Sequence, residues 1–308
     1  MGPVLDRRTL LQAAATTAAF AFLGEGPARA SAPGRLGPVR ACALRHGEPV
    51  AADATGLWRL LPRPERLGPS FGPDVHLYGL AAAGEDLYVG AGRVRETPAE
   101  AEAPGVPPHL ADLAGPDDTE SPRREHRPVL YRVGPDGGVR EVDVPWPAGL
   151  AHGFVHGVAA LDDRITLAVS GTAQPDTPMV TRTYLVSSGD GGRTWSERLV
   201  RRYGAEALSP HLAHNESGDL ALVTVDGDGT RRAFRGAIAN GPARPSPVEG
   251  RGAPECVVLT ASGGLRFVSE EWRRERFGAE PSTVVAVSGS SGRVLTGSGG
   301  KWRLEEFR

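Results

Sequence analysis

The sequence predicts an all-β protein, a single β-propeller of five or six four-stranded blades and at most seven, and three observations predict it. Glycine and proline, 41 and 27 of the 308 residues, supply the turns that many short strands need. A strand, tight polar turn, strand pattern recurs along the chain. Between its recurrences lie further strands that complete a four-strand unit, the repeating element of a propeller.

The recurrence is read directly from the residues. His76-Leu77-Tyr78-Gly79-Leu80-Ala81-Ala82 and the strand that follows line up with Phe154-Val155-His156-Gly157-Val158-Ala159-Ala160 and its successor. A third copy runs through His211-Leu212-Ala213 to Val225, and a fourth from Cys256-Val257-Val258 through Gly263-Gly264-Leu265 to Ser269. Residues 128–133 and 139–144, joined by Pro135-Asp136-Gly137-Gly138, are the clearest outer pair. Segments 39–61 and 282–307 supply strands for an opening and a closing blade. Asp219-Leu220-Ala221-Leu222-Val223-Thr224-Val225 shows the apolar alternation of a packed strand. Closure of the ring removes free sheet edges, whereas a β-sandwich predicts no repeated four-strand units.

The N-terminus reads Asp6-Arg7-Arg8-Thr9-Leu10-Leu11, then an apolar, alanine-rich run to Leu23 and an Ala28-Arg29-Ala30 exit. These are the parts of an export signal over residues 1–30, cleaved after Ala30, with the propeller occupying 31–308. The Arg7-Arg8 pattern resembles the twin-arginine signals, with Asp6 in place of their hydroxyl residue, and implies export of the folded chain to an extracytoplasmic compartment. The apolar run is too short for a permanent span, so the mature chain is expected without one. Residues 94–127, rich in Pro, Ala, Glu and Asp, read as a disordered insertion in the second blade. Lys and Arg (35) nearly balance Asp and Glu (37) for a net charge of −2, which leaves a nucleic-acid partner without an electrostatic footprint. A monomer is expected.

Ser188-Gly189-Asp190-Gly191-Gly192-Arg193-Thr194-Trp195 matches the Asp-box pattern S-x-D-x-G-x-T-W at every fixed position. Here the chain resembles the BNR-repeat, sialidase-like propellers, in which this box forms the turn between a blade's third and fourth strands. The resemblance implies structural roles for Ser188, Asp190, Gly192, Thr194 and Trp195, away from the central channel, and says nothing about activity. Gly299-Gly300-Lys301-Trp302 looks like a decayed second copy. The Arg-Ile-Pro segment of true sialidases is absent and the last tyrosine is Tyr203, so sialidase activity is not expected.

Aligning the repeats puts His76, His152, His156, His211 and His214 at or near the first strands of three blades, the strands that line a propeller's channel. Converging imidazoles can hold a ligand or metal or act as a base; scattered ones hydrogen-bond loops. No cofactor is indicated. Glu206, Asp226, Asp228, Glu255, Glu270 and Glu271 are the available acids, and spacing cannot pair them. Asp226-Gly227-Asp228-Gly229 reads as a β-turn more readily than as part of a calcium loop. Cys42 and Cys256 stand in the first strands of the first and last recognisable blades and are a candidate disulfide; two buried thiols are the alternative. The leading functional expectation is a ligand-binding or scaffolding propeller that takes a small molecule, glycan or protein loop at the channel mouth. The alternative is a carbohydrate-active hydrolase or lyase of the same class.

Overall fold

The computed structural model describes residues 36–307 except 55, 69–70, 98–122, 149, 151, 173–180, 203–209, 227–228, 240, 279–281 and 299–300. The predicted export signal, with Arg7, Arg8 and Ala30, lies outside the described residues.

Six units follow one another. The first comprises β1 (Ala41–Arg45), β2 (Glu48–Ala52), β3 (Leu57–Arg59) and β4 (Glu65–Leu67), and the second β5 (Val75–Ala83), β6 (Asp86–Thr97), β7 (Arg123–Val133) and β8 (Val139–Val142). The third comprises β9 (His152–Leu161), β10 (Arg164–Thr172), β11 (Thr181–Ser188) and β12 (Ser196–Arg202), and the fourth β13 (His211–His214), β14 (Asp219–Val225), β15 (Thr230–Ala237) and β16 (Gly241–Arg251). The fifth has β17 (Cys256–Leu259) and β18 (Leu265–Val268) followed by helix α1 (Glu270–Phe277), and the sixth has β19 (Ser282–Ser288), β20 (Arg293–Ser298) and β21 (Lys301–Glu306). Within each unit the strands pair as an antiparallel meander.

The first strands form the axis. In ring order β1 packs on β5, β5 on β9, β9 on β13, β13 on β17 and β17 on β19. The circle closes where β19 pairs in parallel with β1, Cys42 opposite Val287 and Ala43 opposite Ser288. The protein is thus a β-propeller of six units, of which four have four described strands, the fifth two and the sixth three.

The core lies between units, because each sheet buries both faces. Leu77, Val89, Val129 and Tyr131 of the second unit pack with Val50 and Leu57 of the first. Tyr88 and Leu130 meet Val155, Ile165, Leu167 and Tyr184 of the third. A glycine in the recurrent motif sets the distance. In β5 the pairing with β6 shifts between Leu77 and Gly79, and in β9 the pairing with β10 shifts between Val155 and Gly157. Tyr78 and His156 are the extra residues of these two β-bulges, which turn a side chain out of the ladder. A Cβ on Gly79 would lie 3.1 Å from the Val158 amide nitrogen, and one on Gly157 2.6 Å from Leu212 Cβ. Glycine there lets the next first strand close in.

The first strands all run the same way, so the two mouths differ. At the lower mouth, where they end, the turns are short, as in Arg45 to Glu48 and Leu161 to Arg164. At the upper mouth, where they begin, β6, β10 and β12 end and helix α1 follows β18. The expected insertion at 94–127 is shorter than its composition suggested. The β6–β7 ladder continues from Arg93 opposite Arg127 to Thr97 opposite Arg123, so both flanks belong to a hairpin and backbone pairing outweighs their polar composition. Residues 98–122 lie outside the described residues.

Cys42 and Cys256 are free and buried, which overturns the disulfide. The sixth unit is the reason: β19 stands between β1 and β17, and Cys42 packs against Val287 and Leu295 while Cys256 packs against Val284 and Val294. Burial pushes both thiols up to about 12.

The turn from β11 to β12 is held by its own side chains. The Ser188 hydroxyl, Arg193 N–H, Thr194 N–H and Thr194 hydroxyl all donate to the Asp190 carboxylate at 2.6 to 3.0 Å. Gly192 donates to Ser188 Oγ at 2.9 Å and takes a φ of 87° that its lack of a Cβ allows. Trp195 donates its indole N–H to Gly192 O and packs into the core between the second and third units. The Thr194 hydroxyl and amide, foremost among these donors, hold the Asp190 carboxyl down at about 2. Its contribution to stability is therefore present above the unfolded carboxyl's range and lost as pH falls toward 2. We expect Asp190→Ala to lower the thermal midpoint at pH 7. Asp190→Asn, which keeps one acceptor oxygen, should lower it less, and the three proteins should converge as scans move below pH 3.

Candidate functional site

The bulge residues Tyr78 and His156 reach the upper mouth, and a wall of rings forms around them. Tyr78 lies 5.1 Å from Phe154 and 6.0 Å from His156, centroid to centroid. Phe154 lies 5.6 Å from His156, 4.6 Å from His126 and 5.4 Å from His152. His76 completes the wall 6.2 Å from His126. Most of these pairs meet edge to face, the favourable arrangement for aromatic quadrupoles. The Arg40 guanidinium lies 5.2 Å from the Tyr78 centroid, within reach of a cation–π attraction. The His126 backbone N–H donates to His152 Nδ1 at 2.9 Å, which leaves the neutral ring's proton on Nε2.

His211, at the start of β13, extends the mouth into the fourth unit, where Arg231 of β15 stands. Burial pushes His211 down to about 4, helped by the Arg231 charge, and pushes His156 down to about 4, helped by His211. Both imidazoles are neutral at pH 7. The mouth therefore offers uncharged hydrogen-bonding rings, an aromatic wall, and Arg40 at its margin.

His214 belongs elsewhere. It sits at the other end of β13, 2% exposed, with Nε2 2.7 Å from Ser288 Oγ of β19. The same hydroxyl donates to Val158 O of β9 at 3.3 Å. β19 neighbours neither β13 nor β9 in the ring, so these bonds run across the channel and plug it. Gly289 admits the ring: a Cβ there would lie 3.1 Å from His214 Cε1. Burial pushes His214 down to about 4 as well.

Four of the five predicted histidines, His76, His152, His156 and His211, thus share the upper mouth, and His214 forms the plug. The parity of β13 could have shown this, since only Leu212 and Ala213 lie between His211 and His214 and an offset of three puts the two rings on opposite faces of a strand. His126 was missed because it fell in the segment read as an insertion, although its register opposite Val94 follows once the hairpin is extended. Among the described residues no three His, Cys, Asp or Glu side chains gather closely enough to hold a metal ion.

The acids near this mouth have protein partners. Asp53 accepts from Gly37 N–H, Gly56 N–H and Trp58 Nε1 at 2.9 Å each. Asp226 pairs with Arg232 at 2.9 Å and Glu255 with Arg273 at 2.7 Å. Glu270 pairs with Arg274 along α1, and Glu271 lies in the first turn of that helix. Glu206 and Asp228 lie outside the described residues.

No protein-family model and no characterised protein sequence matches this chain. Among solved structures it is similar to a Trypanosoma rangeli sialidase, with 12% identity and a TM-score of 0.42 over 87% of this chain and 48% of that one. It is also similar to a Penicillium chrysogenum α-L-arabinanase, with 13% identity and a TM-score of 0.39 over 89% of this chain and 84% of that one. A sucrose-6-phosphate hydrolase from Lactobacillus gasseri aligns at 11% identity and a TM-score of 0.43 over 98% of this chain and 67% of that one. This chain spans about half the length of the sialidase. The architecture described above rests on the strand pairing. No helix among the described residues is long and apolar enough to cross a membrane.

The three depressed imidazoles make a pH prediction. Each is lowered from 6.5 to about 4, so the unfolded chain binds protons that the folded chain refuses between those values. Stability is full above pH 6.5 and declines as pH falls toward 4. For the fully buried His214, a shift of that size corresponds to about 3 kcal/mol. Chemical denaturation from pH 7.5 to 4.5 should show this decline, and His214→Gln should flatten it. An unchanged slope in that variant would count against the buried neutral imidazole.

Proposed function

We propose that this protein is an exported ligand-binding propeller that takes a glycan at its upper mouth. The observation that carries the reading is the wall of six rings, Tyr78, Phe154, His76, His126, His152 and His156. A sugar ring presents an apolar C–H face that lies well against aromatic side chains, while its hydroxyls need the kind of neutral donors and acceptors that imidazoles supply. The Asp-box at Ser188, Asp190, Gly192, Thr194 and Trp195 supports kinship with the sialidase-like propellers. The Arg7-Arg8 signal supports twin-arginine export.

Binding without turnover is favoured over glycoside cleavage. Hydrolysis of that kind needs two carboxyl groups facing one bond, one protonated and one charged. Asp53, Asp226 and Glu255 are each engaged by protein donors instead. The mature protein on an array of neutral and acidic oligosaccharides should bind a subset of them. Tyr78→Ala and His156→Ala should each weaken binding about tenfold, the loss expected when an aromatic anchor is truncated. Binding that is absent, or unchanged from the wild type in both variants, would overturn the reading, and release of shorter sugars from a bound oligosaccharide would establish the hydrolase instead. Replacing Arg7 and Arg8 with lysine should leave the precursor in the cytoplasm, as seen by fractionation. Normal export of that variant would exclude the twin-arginine route.

A further inference from the structure

We propose that the rim formed by the fifth and sixth units is a second subsite of the upper mouth, where the ion pair of Glu255 and Arg273 takes neighbouring hydroxyls of a neutral sugar residue; this deepens the glycan reading and rests on it. Topology puts the rim there. Glu255 directly precedes β17, and Ser282 and Thr283 open β19. Both are first strands, and first strands begin at the upper mouth. An open cavity of about 500 Å³ lies between them, lined by Glu255, Arg273, Ser282, Thr283 and Val284. In a ring of six, the fifth and sixth units face the second and third, which carry the wall of rings.

The pair is held by the feature that sets the fifth unit apart. Where every other unit continues into a third strand, this one turns into α1. Ser269 caps the helix, accepting from the Trp272 N–H at 3.2 Å, and Trp272 packs against Phe307 of the sixth unit with ring centroids 5.0 Å apart. Arg273, the next residue, is thereby brought over the starts of β17 and β19. Its Nε donates to Glu255 Oε1 at 2.7 Å, and its Nη1 stands 3.5 Å from Ser282 Oγ. The Arg273 and Glu255 side chains are 24% and 28% exposed, so a ligand reaches both.

The groups left over define the ligand. Among the described residues Arg273 is the only partner of the Glu255 carboxylate, so Oε2 stays open, as do N–H groups of Nη1 and Nη2. An acceptor and a donor thus stand side by side, with the Ser282 and Thr283 hydroxyls next to them. Two gauche hydroxyls of a sugar ring have a matching spacing. Each both donates and accepts, so the sugar bridges the pair without breaking it and gains charge-assisted bonds. Charged ligands lack that option. An anion at Arg273 would have to displace Glu255 and would meet Glu270, whose Oε1 lies 3.8 Å from Arg273 Nη2, and a cation at Glu255 would have to displace Arg273. Opening the pair leaves one partly buried charge unanswered. A glycan seated on the ring wall at Tyr78 and extending across the mouth meets this pair with its next residues.

Calorimetry on the mature protein tests this with cellotriose, maltotriose and mannotriose beside the methyl glycosides of glucose and mannose. At least one trisaccharide should bind more tightly than its monosaccharide. Glu255→Gln and Arg273→Gln should each weaken that trisaccharide about tenfold, the loss of a hydrogen bond to a charged group, and leave the monosaccharide unchanged, whereas Tyr78→Ala should weaken both lengths. Should either variant fail to fold, Thr283→Val, which removes one lining hydroxyl and leaves the pair in place, should weaken the trisaccharide alone. Trisaccharide affinity unchanged in all three variants, or both lengths weakened equally by them, would overturn the proposal and leave the glycan reading standing. Displacement of a bound trisaccharide by sodium acetate or methylammonium chloride, beyond that given by sodium chloride at matched ionic strength, would overturn the neutral assignment. If only acidic oligosaccharides bind, the ligand-binding reading stands without this subsite. If no oligosaccharide binds, both fall.

Discussion

Cys42 and Ala43 of β1 pair in parallel with Val287 and Ser288 of β19, and the ring depends on this short ladder between two strands separated by nearly the whole chain. In each unit only the first strand faces the axis, so the ladder joins the most buried strands of the first and last units. The thiol of Cys42 is consequently sealed between them. Such a closure carries a large loop-closure cost, because its partners are the most distant in sequence and the chain between them must be ordered before the contact is rewarded. Everything at the axis, including the mouth and the plug, requires it.

The mouth itself is a product of bulge and glycine acting together. Tyr78-Gly79 and His156-Gly157 are the same device in neighbouring units: one residue too many for the ladder, followed by one with no side chain. The extra residue must leave the pleat, and the glycine lets the adjoining strand approach. Two members of the ring wall, Tyr78 and His156, are therefore set by a backbone irregularity, and the other four stand in regular ladder pairs of the same two units. The fourth unit contributes differently, through His211 at the start of its first strand rather than through a bulge.

Much of this was legible in the residues. The recurrence of the His76 and Phe154 motifs gave the propeller, and Ser188 to Trp195 gave a turn whose hydrogen bonds are those its chemistry suggests. Unit number was harder to read, because the fifth unit has only two described strands and a helix, so repeat length fails there. The separation of His214 from the other histidines was hidden by treating β13 as a point rather than a strand with two ends. The burial of Arg231 carried no signal at all: an arginine in Thr230-Arg231-Arg232 looks like any exposed hairpin residue, and only packing reveals that one of the pair turns inward over Phe267 while the other keeps Asp226.

The bonds from Ser288 to His214 and Val158 make the axis a blind well rather than a tunnel. Whatever enters at the upper mouth must leave by the same opening. A polymer can offer this well a terminus or a branch, but its backbone cannot be drawn through, so successive engagement along a chain would require complete release at every step. Long molecules would thus be counted by their ends, with occupancy following the number of chains rather than their mass.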